Sequence, residues 1–152
     1  MVKTIVKMDK ETLHKEIDLI QGVINRMANN SFLLKGWTIT LIVAVLAFTR
    51  DTLVTNDVTF LSMVLLIPLF VFWYLDAFFL HKERCYIALY NWVIKNREKS
   101  NKNLYDLNYR RFENDVVSIW KIMFSPTLRT FYGIVVLILI LITVYNLTQY
   151  NG

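Results

Sequence analysis

VTFLSMVLLIPLFVFWYLDAFFL, residues 58 to 80, is the stretch whose reading decides the fold. Only Pro68 and Asp76 interrupt its apolar run. At about 1.5 Å of rise per residue such a helix covers the ~30 Å hydrocarbon core of a bilayer. We read it as a transmembrane helix. Pro68 is expected to kink it mid-span, because the ring removes one backbone hydrogen bond and crowds the carbonyl four residues earlier.

Outward toward the N-terminus, residues 50 to 57 (RDTLVTND) form a short polar connection, and residues 31 to 49 are a second apolar run. That run is near the minimum length for a crossing and reads as span one. Within residues 1 to 30, Leu13, Ile17, Ile20, Ile24 and Met27 recur at three- and four-residue steps, the pattern of an amphipathic helix, with Asp9 as its N-cap. Outward toward the C-terminus, residues 81 to 125 are polar and charged but keep helical periodicity, with Leu89, Trp92 and Val93 followed by Phe112, Val116, Ile119, Trp120 and Met123. This predicts a cytoplasmic helical hairpin joined near residues 100 to 103. Ser125-Pro126 is a helix start, with serine as cap and proline at the first position, where its missing N–H costs nothing. Span three then covers 126 to 147, leaving 148 to 152 as a tail. The expected class is all-α, an integral membrane protein with three transmembrane helices.

Composition agrees. Of 152 residues 55% are hydrophobic, and the mean hydropathy is +0.40, more than a soluble domain of this size needs. A single cysteine, Cys85, excludes an intrachain disulfide and a thiolate zinc cluster. The net charge of +5 is explained by placement. If residues 1 to 35 and 81 to 129 share one side, that side holds every Lys and Arg except Arg50. The positive-inside rule then puts the N-terminus and the middle segment in the cytoplasm, and the 50 to 57 loop and the C-terminus outside. Trp37, Trp73 and Tyr74 fall where interfacial aromatics belong on the inner side.

Chemistry in the sequence is sparse. Asp76 lies about one turn inside the cytoplasmic end of span two, where a bare carboxylate is costly. Lys35 should lie at similar depth on the antiparallel span one, which predicts a Lys35–Asp76 ion pair, with Arg84 and Lys82 as competing partners. Either the two charges pin helix depth by snorkelling, or they form part of a gate. Thr38 and Thr40 offer hydroxyls for a pore lining. Gly36, Thr40, Ala44 and Ala47 form a small-residue seam on span one, which allows close helix approach either within the chain or between subunits. An 18.0 kDa three-span unit is too small to enclose a water-filled channel alone, so a pore implies a homo-oligomer. His14 and His81 are far apart, and there is no metal-ligand spacing, phosphate loop or nucleophile elbow. No catalytic residue, cofactor or metal is expected. His81 and Cys85 are one turn apart without a third polar group. Tyr105, Tyr109 and Phe112 among basic residues could suggest nucleic acid, but juxtamembrane cations follow from topology, and Glu98, Asp106, Glu113 and Asp115 dilute the patch.

At Met27-Ala-Asn-Asn-Ser-Phe-Leu-Leu-Lys-Gly-Trp37 and at Phe72-Trp-Tyr-Leu-Asp-Ala-Phe-Phe-Leu-His-Lys-Glu-Arg84 the chain resembles a loose group of small bacterial inner-membrane proteins. The group includes the RipA-like octameric membrane proteins and the SLATT-type effectors of anti-phage systems. The resemblance covers roughly residues 20 to 95, and this chain departs from the two-span SLATT plan by its third span. It implies a homo-oligomer of the bacterial inner membrane that permeabilises it when a cytosolic partner or a nucleotide signal acts on the cytoplasmic helices. The alternative is a non-conducting anchor or scaffold that recruits a cytosolic partner through residues 81 to 125.

Overall fold

The computed structural model describes residues 9–48, 56–97 and 103–150. It is all-helical among the described residues, with four α-helices: α1 Lys10–Phe48, α2 Asn56–Asn96, α3 Ile119–Met123 and α4 Pro126–Tyr150. A 3-10 helix, Tyr109–Asp115, precedes α3. The helices α1, α2 and α4 each carry a stretch long and apolar enough to cross a membrane.

The boundary expected near residue 30 is not a break. The amphipathic entry segment and span one are a single helix of 39 residues, about 58 Å long. Asp9 stands at its start, its carbonyl accepting from Leu13 N at 3.2 Å. Likewise α2 continues without interruption from the apolar run into the charged segment, 41 residues in all, and stays helical on both sides of Pro68. Neighbouring helices in a bundle can absorb one missing backbone bond. The loop expected over 50 to 57 falls mostly outside the described residues, and α2 already begins at Asn56.

The helices α1 and α2 form a long antiparallel hairpin, with contacts stepping from Glu16 and Arg97 through Ile20 and Leu89 to Ser31 and Asp76. In turn α4 runs antiparallel to α2 along its apolar half, where Tyr132 meets Asp76 and Leu139 lies near Ser62 and Leu66. Two apolar cores result. One lies in the three-helix half and contains Leu65, Leu69, Trp73, Leu128, Tyr132 and Leu139, with Leu41 and Val45 packed against it. The other lies in the extension, where Ile20, Leu89 and Val93 are covered by Leu13, Ile17, Tyr86, Trp92 and Phe112. Around the three-helix half the large side chains face outward: Phe32, Trp37, Phe60, Ile67, Phe70, Leu137 and Leu141 are all exposed. An exposed belt of this kind is the surface lipid covers.

The cytoplasmic hairpin expected within 81 to 125 is corrected. The first half is helical, as the continuation of α2, but its helical partner is α1. The second half is a turn, the 3-10 helix and the short α3. Its polar residues bond their own backbone instead of supporting a helix: Asp106 Oδ1 accepts from Asn108 N at 3.0 Å, and Asn108 Oδ1 accepts from Arg110 N at 3.1 Å. Such local bonds compete with helix formation. Asn103 and Tyr105 have left-handed backbones, φ 61° and 58°, which ends any helix there. The expected start at Ser125-Pro126 is present, with Arg129 N donating to Ser125 O at 2.9 Å.

Candidate functional site

Where α1, α2 and α4 meet, a polar cluster is set into the apolar core of the three-helix half, between Trp73 and Leu80 on α2. Asp76 is its centre and is completely buried. Lys35 Nζ lies 2.6 Å from Asp76 Oδ2, so the expected pair is brought together. Lys35 also donates to Ser31 Oγ at 3.0 Å and to Ser31 O at 3.3 Å. Ser31 Oγ donates to Asp76 Oδ1 at 2.5 Å. Tyr132 OH, from α4, is 3.1 Å from Asp76 Oδ2 and 3.3 Å from Phe72 O, and can donate to either. Both carboxylate oxygens and the ammonium are therefore satisfied within the chain, which is the condition for burying a charge at all.

Helical spacing builds this arrangement. Ser31, Lys35 and Thr38 are three or four residues apart on α1 and share one face toward α2. Thr38 is buried and bonds Leu34 O at 2.8 Å. Thr40, by contrast, is exposed and bonds back to Gly36 O at 3.0 Å. The proposed seam follows Thr40: Gly36 and Ala47 are exposed, Ala44 is half-buried, and a Cβ placed on Gly36 would meet nothing within 4 Å. The seam is thus not a contact within the chain. Pro68 is half-buried in α2, away from the cluster. Of the competing cations, Lys82 pairs with Glu113 at 3.0 Å, and Arg84 is exposed.

Sequence reasoning missed a second buried ion pair at the far end of the hairpin. Arg97 Nε donates to Glu16 Oε2 at 2.6 Å, and Nη2 to Glu16 Oε1. Both side chains are 1% exposed. Arg97 Nη2 also donates to Asn103 O at 3.2 Å, and Glu16 Oε1 accepts from Tyr105 N at 3.1 Å. The pair thereby holds both left-handed residues in place. The guanidinium stacks over Trp92 at 5.4 Å. One signal was available: Glu16 lies on the same helical face as Leu13 and Ile20, and a carboxylate on an apolar stripe needs a partner.

No known protein family, curated protein or solved structure matches this chain. The site must therefore be interpreted from its own geometry. No group of three or more metal-ligating side chains occurs among the described residues. Among the described residues the nearest thing to a reactive constellation is His81 Nδ1 against Cys85 Sγ at 3.8 Å, both buried. The Asp76 cluster can hold three helices in register, with the buried carboxylate as its fixed point and Lys35 as its part-exposed partner.

Proposed function

We propose that this chain is a homo-oligomeric protein of a bacterial inner membrane, with its N-terminus in the cytoplasm and its C-terminus outside. In this reading it acts as a pore-forming or membrane-disrupting effector of the anti-phage type, gated through its cytoplasmic helices. The observation that carries the proposal is the continuity of α1 and α2 from the polar extension into the spans, with the Asp76 cluster tying both to α4 where they enter. A partner protein or nucleotide signal acting on the extension would reach the spans through two unbroken helices. The outward small-residue face of α1 supports contact between copies, since Gly36 has no neighbour within its own chain to accommodate. Membrane potential followed during overexpression tests the proposal. Depolarisation that changes with Asp76→Ala supports it, and a potential unaffected under every triggering condition removes it.

A second reading, a non-conducting scaffold, is favoured by one observation. A cleft of about 500 Å³ opens on the extension between α1 and α2, lined by Gln21, Asn25, Tyr90 and Asn91 beside Ile24 and Ile87. Its amides suit a peptide segment of a cytosolic partner. Co-purification of a soluble protein that is lost on Asn91→Arg, with ion flux unaltered, distinguishes this reading from the first.

A further inference from the structure

At the base of α3 the chain forms a second cleft, of about 450 Å³, lined by both polar and apolar side chains. His81 from α2 is one wall, Glu113 and Asn114 of the 3-10 helix another, and Ser118, Ile119 and Trp120 the third. The cleft sits beside the end of the apolar belt. The Trp120 ring lies 6.2 Å from Tyr74, and the Phe124 ring 5.5 Å from Trp73. Both Trp120 and Phe124 are exposed, at 64% and 57%. Large aromatic rings at the end of a span, next to polar groups, occupy the headgroup level of a bilayer.

Two observations give the cleft a ligand chemistry. His81 is buried, and its Nδ1 faces Cys85 Sγ, while its Nε2 makes no hydrogen bond among the described residues. Buried polar atoms of this kind ordinarily have a partner. The walls also divide by sign. Glu113 and the face of Trp120 attract a cation, whereas the Asn114 amide, the Ser118 hydroxyl and the imidazole can donate to an anion. Lys82 is already engaged, 3.0 Å from Glu113 and 4.4 Å from the Tyr109 ring centre.

We propose that this cleft binds the headgroup of a zwitterionic phospholipid bearing a primary ammonium, of the phosphoethanolamine type, with its acyl chains lying beside Trp120 and Phe124. The ammonium hydrogen-bonds Glu113 and lies against Trp120, and the phosphate takes the donors of Asn114, Ser118 and His81. A trimethylated headgroup has no N–H to give Glu113, and a glycerol headgroup has no cation for Trp120. The inference rests on the membrane-spanning fold and is independent of pore formation.

The test uses the full chain in mild detergent, equilibrated with equal amounts of phosphatidylethanolamine, phosphatidylcholine and phosphatidylglycerol of identical acyl chains, and native mass spectrometry of the retained lipid. Loss of one charge-assisted hydrogen bond predicts that phosphatidylethanolamine is retained roughly tenfold over phosphatidylcholine. Glu113→Gln removes the preference over phosphatidylcholine, whereas Trp120→Ala lowers retention of both cationic headgroups relative to phosphatidylglycerol. Trp120 is largely exposed, so Trp120→Ala keeps the helical circular dichroism and decides the matter even if Glu113→Gln fails to fold. Equal retention of the three lipids, preference for phosphatidylglycerol, or retention relative to phosphatidylglycerol that is unchanged in Trp120→Ala overturns the proposal. Competition by water-soluble glycerophosphoethanolamine as effective as the lipid overturns the lipid assignment.

Discussion

Glu16–Arg97 and Lys35–Asp76 both bridge α1 to α2, about 28 Å apart along α1, yet they are buried in different ways. The first is closed on both sides, each partner 1% exposed and its spare bonding capacity taken by the backbone at Asn103 and Tyr105. The second is lopsided. Asp76 is completely buried, while the Lys35 side chain keeps 23% exposure and a path to the surface. A pair buried on both sides is a weld, because neither charge can reach water alone. A pair with one open side can part, with the lysine leaving and the carboxylate retaining Ser31 and Tyr132.

The largest effect should come from breaking the closed pair. Arg97→Ala leaves Glu16 buried with only the Tyr105 amide, and is expected to cost about 3–5 kcal/mol. Hydrogen exchange should show amides of 10–27 and 86–96 losing protection while those of the spans keep theirs. Equal loss across the spans would mean the two halves are one cooperative unit. Replacing both Glu16 and Arg97 by methionine should cost less than Arg97→Ala alone, since no unpaired charge remains.

The lopsided pair should respond asymmetrically. Lys35→Met strands a buried carboxylate and is expected to cost about 2 kcal/mol, discounted from the fully buried case because Lys35 is part-exposed. Asp76→Asn should cost about 1 kcal/mol, because the amide keeps partners in Ser31 and Tyr132 and the freed lysine can snorkel. Thermal melts in one detergent check the order, and equal losses would erase the distinction between the two pairs. Tyr132→Phe should cost about 0.6 kcal/mol, the typical worth of one hydrogen bond inside a membrane bundle, while preserving the stack on Trp73 at 5.6 Å.

The smallest effect concerns the Lys82–Glu113 pair between the two. Its hydrogen bond to Lys82 holds the Glu113 carboxyl below the ordinary 4.5. A carboxyl lowered on folding stabilises above its unfolded value, and that contribution is lost as pH falls through the folded value. Stability should therefore slope downward below about pH 4.5 in the native chain. In Glu113→Gln that part of the slope should disappear, as acid titration followed by circular dichroism would show.

Much of this was legible from residues 58 to 80 outward. Apolar length predicted the spans, and equal depth on antiparallel neighbours predicted that Lys35 would meet Asp76. Ser31 and Tyr132 were not found, because a hydroxyl in an apolar run carries no periodic signal until the facing helix is known. The continuity of α1 across Asn29, Asn30 and Ser31 was obscured because the segments divide where the amphipathic pattern gives way to an apolar run, a change of surroundings that does not interrupt the backbone. The missing second helix of the expected hairpin has the opposite cause. Phe112, Ile119 and Met123 do pack inward as their spacing suggested, but Asp106 and Asn108 diverted the backbone into turns, and periodicity alone cannot register that.

Asp76 and its partners lie on three helices that leave the ribosome in sequence, which bears on how the chain enters a bilayer. When α2 is inserted, Lys35 and Ser31 are already made, so the acid can be delivered as half of a neutral couple within the α1–α2 hairpin. Tyr132 emerges last and closes the site from the side of α4. Assembly thus has a direction, with the charges cancelling first and the third helix docking onto a couple already formed.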